Sequence, residues 1–163
     1  MLKVPYFHQQ RDYTCGPACL EMVLAYFGKR LSEKELAKMA RSKPHYGTMH
    51  LRMIKVANRH KFYCYVQENS SMYSIKHFLE EKLPVIVHYR EPSGDEGHYS
   101  LIIGHSKNHF IMNDPWNGKD FKISYHDFKR RWFDYQEGHK YSRWILVISK
   151  SKFSLGKQFM PRI

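Results

Sequence analysis

The chain has 163 residues, enough for one domain with its own core, and its 42% hydrophobic and 26% charged residues are ordinary globular composition that argues against disorder. No run approaches the ~18 apolar residues of a membrane span, and the start, Met1-Leu2-Lys3-Val4-Pro5-Tyr6-Phe7, lacks the apolar stretch of a signal peptide. The expectation is a cytoplasmic chain without a membrane span, or a piece cut from a larger protein. Lys and Arg number 27 against 15 Asp and Glu, giving a net charge of +12. That excess admits nucleic acid, an anionic membrane surface or an acidic peptide as partner. It is spread along the chain without an arginine-rich block, however, so nucleic acid is the less favoured reading. The densest basic clusters are Lys129-Arg130-Arg131 and the tail residues Lys150, Lys152, Lys157 and Arg162.

The predicted elements begin with residues 16–27, a run introduced by Pro17 and stopped by Gly28. Glu21 is its one charged residue, so the helix is apolar nearly all round and belongs at the centre of the fold. Ser32 and Glu35 form a capping box ahead of Leu36, Met39 and Ala40. Thr48 is placed to cap a third helix carrying Met49, Met53 and Ala57, and a strand follows over Phe62 to Gln67. Ser74 opens a fourth helix with Ile75, Phe78 and Leu79 on one face.

Then the pattern turns to strands. Residues 84–90 are a nearly continuous β-branched run, hence a buried strand. Residues 91–97 are a loop, and strands are expected over His98 to His105 and His109 to Asp114. Asn117-Gly118 marks a hairpin turn into Phe121 to Ser124. Ser124 and Asp127 start a short helix, and Trp144 to Ile148 is a last buried strand. Helices first and a mostly antiparallel sheet afterwards define an α+β fold. Residues 1–149 read as one unit, and 150–163 as a basic C-terminal tail.

Three cysteines, Cys15, Cys19 and Cys64, do not make a disulfide framework, and Cys15 and Cys19 lack a second ligand pair at zinc spacing. No metal is called for, and free thiols fit a reducing compartment. Cys15 differs from the other two by standing at the start of the central helix. Unpaired N–H groups and the helix dipole favour thiolate there, and the thiolate is the nucleophile. Gly16 beside it lets a substrate carbonyl approach the backbone. Cys19, inside the helix, and Cys64, in a strand, read as core residues.

A thiolate needs a base, and the base an orienter. His98 opens a strand after a glycine-containing loop, and Asp114 ends the next strand before Pro115. A three-residue loop at Ser106-Lys107-Asn108 would set His105 opposite His109 and Ser100 opposite Asp114. His98 and Asp114 then share a face, diagonal to one another, their backbones about 7–8 Å apart. Gln9 and Gln10 lie upstream of Cys15, and a side-chain amide of either type can donate to a developing oxyanion together with the Cys15 N–H.

The stretch Gln9-Gln10-Arg11-Asp12-Tyr13-Thr14-Cys15-Gly16-Pro17-Ala18-Cys19-Leu20 resembles the nucleophile motif of the bacteriocin-processing peptidases. These are papain-like cysteine peptidases that remove double-glycine leaders. Gly97-His98-Tyr99 through Gly104 is similar to their histidine strand, and Ile111-Met112-Asn113-Asp114-Pro115 to their Asp-Pro motif. The resemblance implies a papain-like cysteine peptidase fold. It makes Cys15 the nucleophile, His98 the general base and acid, Asp114 the orienter and Gln9 the oxyanion donor, with no cofactor. The implied partner is a peptide or protein substrate, with a separate transporter as a further candidate, because relatives are often fused to one. Two other readings stand beside a thiol peptidase: an acyltransferase or deamidase using the same triad, and a non-catalytic basic binding module.

Overall fold

A computed structural model describes residues 1–154 and 158–159. The elements are α1 (Cys15–Tyr26), α2 (Glu33–Met39), α3 (His50–Arg59), β1 (Tyr63–Gln67), α4 (Met72–Glu80), β2 (Val85–Arg90), β3 (Gly97–His105), β4 (His109–Asp114) and β5 (Gly118–Ser124). They continue with α5 (Tyr125–Arg131), β6 (Phe133–Gln136), β7 (His139–Ser142), β8 (Ile145–Ser149) and β9 (Gln158–Phe159). Seven strands form one antiparallel sheet in the order β5-β4-β3-β2-β8-β1-β9, and β6 and β7 form a separate hairpin. None of the described helices is long and apolar enough to cross a membrane.

Side chains alternate across the sheet, and each face buries its own set. Ile86, Leu101, Ile103, Leu146 and Ile148 pack against α1, α2 and α3. Val85, Val87, Tyr89, Ile102 and Val147 pack on the other face against Ile75 and Leu79 of α4 and Phe128 of α5. The sheet is therefore covered on both sides, which is why β2 and β8 read as unbroken apolar runs. Helix α1 lies between the sheet and the other two helices, with Cys19, Leu20, Met22, Val23 and Leu24 all buried.

Local chemistry accounts for most boundaries. The Ser32–Glu35 capping box is formed in both directions. Helix α4 starts earlier than Ser74: Ser71 is its cap and accepts the Ser74 N–H at 3.1 Å. Thr48 does not cap α3, because its hydroxyl is taken by Ser42 at 2.5 Å and Met49 occupies the cap position. The β6–β7 hairpin went unpredicted. Its turn, Glu137-Gly138, has positive φ at both residues, 50° and 79°, which is the backbone a tight two-residue hairpin requires. Residues 158–159 are part of the expected tail, yet they add a strand to β1.

The β3–β4 hairpin departs from the expected loop in an instructive way. His105 pairs with Phe110, not His109, so the register at the turn would place His98 and Asp114 on opposite faces. A bulge at Ile103 inserts one residue between Ile102 and Gly104, after which Ile102 pairs with Met112 and Leu101 with Asn113. The face relationship is thereby restored. The N-terminal segment lies over the bulge: Leu2 N–H donates to Ile103 C=O at 2.8 Å, and a Cβ on Gly104 would stand 3.1 Å from Met1.

Candidate active site

The fold brings the start of α1 against the beginning of β3 and the end of β4. Thr14 precedes Cys15 but offers α1 no side-chain cap. Its hydroxyl is instead turned toward Glu33 Oε2, 3.2 Å away, and Arg11 C=O, 3.0 Å away. The first N–H groups of the helix are left for another acceptor. Glu33 is buried at the start of α2, and both of its oxygens also accept the Gln10 N–H at 3.1 Å. One carboxylate thus ties the loop before the cysteine to the second helix. Burial raises its pKa, and the Gln10 and Thr14 hydrogen bonds oppose that.

Cys15 is half-buried, and its Sγ accepts the backbone N–H of Tyr99 at 3.5 Å. His98, one residue earlier on β3, is buried, and its Nε2 faces Asp114 Oδ1 at 2.9 Å. The Cys15 sulfur is close enough to favour the protonated imidazole. Asp114 is fully buried and thoroughly bonded. Oδ1 also accepts the N–H groups of Trp116 at 3.0 Å and Asn117 at 2.8 Å, and Oδ2 accepts the Tyr89 hydroxyl at 2.7 Å.

This arrangement sets the protonation of the pair. Burial works against charge on His98, but the Cys15 sulfur, the hydrogen bonds to Asp114 and Cys15 and the Asp114 charge outweigh it and push the imidazole up to about 10. Burial likewise works against the Asp114 carboxylate, yet the His98 hydrogen bond and charge, the Asn117 N–H and the Tyr89 hydroxyl hold it at about 2. The site therefore favours an imidazolium between a carboxylate and a sulfur. The other two thiols are elsewhere in the core, and burial raises both, Cys64 to about 12.

The two glutamines separate cleanly. Gln9 is buried and lines a small cavity of about 90 Å³ together with Cys15, His98 and Trp116. One N–H of its amide donates to Arg11 C=O at 2.8 Å, which leaves the second free. Gln10 is exposed and lines a different cavity with Glu33. All four expected residues, Gln9, Cys15, His98 and Asp114, therefore meet at one place. Gly16 is buried, and a Cβ there would stand 3.0 Å from Met53 Sδ and 3.1 Å from Thr48 Cβ, so it lets α1 pack closely on α3.

Three contributors escaped the sequence: Tyr89, Glu33 and the Tyr99 N–H. Tyr89 had a findable signal, since β2 precedes β3 by one short loop and Tyr89 pairs directly with His98. Glu33 reads as an ordinary first-turn acid. A second buried polar group lies nearby, where Asp134 meets His88 Nε2 at 3.1 Å and Arg90 Nη1 at 3.3 Å, and His88 meets His50 at 2.8 Å.

A thiol held at a helix N-terminus beside an oriented imidazole, between a helical half and an antiparallel sheet, defines a cysteine peptidase. Residues 3–136 match the Peptidase C39 family, and the chain belongs to it. It is 31% identical over 142 residues to the Mesentericin-Y105 transport/processing ATP-binding protein MesD of Leuconostoc mesenteroides, an alignment that covers 81% of this chain. The chain spans about a fifth of that relative, 19% of its length. The peptidase domain of Streptococcus ComA, a bi-functional ABC transporter, superposes with a TM-score of 0.73 at 21% identity, covering 93% of this chain and all of that one. A double glycine motif protease from an AMS/PCAT transporter, solved with a leader peptide, superposes at 0.70 with 22% identity, covering 91% of this chain and 93% of the other. The α+β architecture is the one these peptidase domains have.

Proposed function

We propose that Cys15, His98 and Asp114 are the catalytic triad of a peptidase that cleaves a precursor after a double-glycine-type leader, with Gln9 completing the oxyanion hole. The observation that carries this reading is that His98, held by Asp114 at 2.9 Å, adjoins Tyr99 on β3, whose N–H meets the Cys15 sulfur at the start of α1. Its substrate follows from what the relatives are named for, transport and processing of a bacteriocin and cleavage at a double glycine motif.

His98 already holds the proton as an imidazolium, and the Cys15 sulfur attacks the carbonyl carbon as the thiolate. The oxygen becomes an anion held by the Cys15 N–H and the free N–H of Gln9. The C–N bond then breaks, and the leaving nitrogen takes the proton from His98. Water attacks the resulting thioester and gives its proton to His98. The carboxylic acid departs, and the thiolate and imidazolium are restored. Asp114 holds the imidazole and offsets its charge throughout. Every proton and bond is supplied by side chains, substrate and water.

We take residues 1–149 as the peptidase unit and 150–163 as a basic segment, of which residues 158–159 join the sheet as β9. Three unpaired cysteines suit a reducing cytoplasm, and a separate transporter would receive the product. The test is a precursor peptide with a Gly-Gly site, incubated with and without an added amine and followed by mass spectrometry. Hydrolysis directly after the second glycine, lost in Cys15→Ala and His98→Ala, is expected. Capture of the amine instead would make the protein an acyltransferase, and an untouched peptide would reject the substrate class.

A further inference from the structure

Two cavities meet at Cys15. The small one contains His98, whereas the large one, about 860 Å³, contains Cys15 but not His98. His98 must reach the leaving nitrogen, so the small cavity is the leaving-group side and the large one takes the residues before the scissile bond. This assignment rests on the peptidase reading above.

Three cations and four acids line the large cavity. Arg41, Lys43 and Arg52 line it from the helical half, where Asp12 in the loop before α1 is the one acid. None of the three has an ion-pair partner among the described residues. The segment that presents them is well fixed. Lys43 and Gly47 exchange backbone hydrogen bonds at 2.9 and 2.8 Å, and Ser42 is bonded to Thr48. Arg41 holds a left-handed φ of 53°, a conformation usually left to glycine or asparagine, where the chain leaves α2 for this wall. Arg52 projects from the first turn of α3. On the sheet side, Asp134 is satisfied by His88 and Arg90, and neither Glu96 nor Glu137 has an ion-pair partner among the described residues.

An extended peptide sends successive side chains to opposite walls. We propose that the residues preceding the scissile bond carry carboxylate side chains at alternate positions, directed at Arg41, Lys43 and Arg52, and that this wall selects acidic substrate segments over basic ones. The unpaired Glu96 and Glu137 on the facing wall argue against a polyanion such as nucleic acid, which would meet them at close range.

The test measures binding apart from cleavage. A fluorescein-labelled peptide with Gly-Gly at the scissile bond carries one Glu or one Lys, moved through the preceding positions on an otherwise uncharged background. Its affinity for the full-length Cys15→Ala protein is read by anisotropy. Glu should bind about tenfold tighter than Lys at alternate positions, and the gap should shrink as salt rises from ~0.05 M to ~0.5 M. Combining Arg41→Ser, Lys43→Ser and Arg52→Ser should close the gap, Arg52→Glu should turn it toward Lys, and Lys119→Ser with Lys122→Ser on β5 should leave it intact. Equal affinities, a gap that survives the triple change, or displacement by an oligonucleotide at lower concentration than by the Glu peptide would overturn the proposal. Cleavage of the uncharged peptide by the wild-type protein reads the peptidase assignment separately. Cleavage with no charge preference rejects the acidic-segment proposal alone, and charge-selective binding with no cleavage rejects the peptidase assignment alone.

Discussion

Tyr89 pairs with His98 across the β2–β3 ladder and at the same time donates its hydroxyl to Asp114 Oδ2 at 2.7 Å. The phenol thus occupies one carboxylate oxygen while the imidazole and two backbone N–H groups occupy the other. Asp114 cannot rotate without breaking all of these, so Oδ1 is held on His98.

Tyr89→Phe keeps the buried ring and removes only that donor. A hydrogen bond to a charged group contributes roughly 1.5–3 kcal/mol, so a stability loss of this order is expected. Turnover should fall about tenfold, as a loosened orienter allows His98 to turn. The more specific readout is the acid limb of the kcat profile. Losing the donor makes the Asp114 carboxylate easier to protonate, and the limb should move to higher pH. An unmoved limb together with a normal rate would show that the backbone N–H groups alone fix the carboxylate.

The pair also sets a pH window for stability. His98 is raised from 6.5 to about 10 in the folded chain, so the stability it contributes is complete below about pH 6.5 and is lost as pH climbs through 10. Asp114 is lowered from 3.8 to about 2, so its contribution is complete above about pH 4 and is lost as pH falls through 2. The Tm difference between the wild-type chain and His98→Gln should therefore be largest between about pH 4 and 6.5. It should narrow steadily toward pH 10. A difference that widens with alkaline pH would mean His98 is neutral in the folded state.

Gln9 and Gln10 offer an internal comparison, since adjacent residues of one type have opposite environments. Gln9→Ala removes a donor to the oxyanion and should lower kcat by roughly 10²–10³-fold with little change in KM. Gln10→Ala touches an exposed side chain and should stay near the wild-type rate, because the contact of Gln10 with Glu33 uses the backbone N–H. Equal losses would remove Gln9 from the oxyanion hole.

Much of this architecture is written locally. The apolar run after Pro17, the Ser32–Glu35 box and the β-branched stretch at 85–90 each carry their own signal, and each forms the element it encodes. Cys15, His98 and Asp114 are legible because strand ends and a helix start are where a sheet and a helix expose reactive side chains. A short loop alone would make His98 and Asp114 face one another, but the chain achieves this through the Ile103 bulge, whose C=O accepts the Leu2 N–H of the N-terminal segment. No local pattern announces such a long-range contact. Glu33 is illegible for the same reason: its partner Gln10 lies 23 positions away, in the loop before α1. The β6–β7 hairpin was a different omission, because Glu137-Gly138 between alternating residues does carry a turn signal.

The claim that Cys15 forms a thioester is tested most directly by trapping it. A Gly-Gly precursor is mixed with the enzyme and quenched in acid within the first turnover, and the intact and digested protein is weighed by mass spectrometry. The account predicts a single added mass equal to the acyl fragment ending in Gly-Gly, carried by the peptide that holds Cys15 and absent from those with Cys64 or with an alkylated Cys15. Product formation with no adduct at any quench time, or continued cleavage by Cys15→Ala, would contradict it.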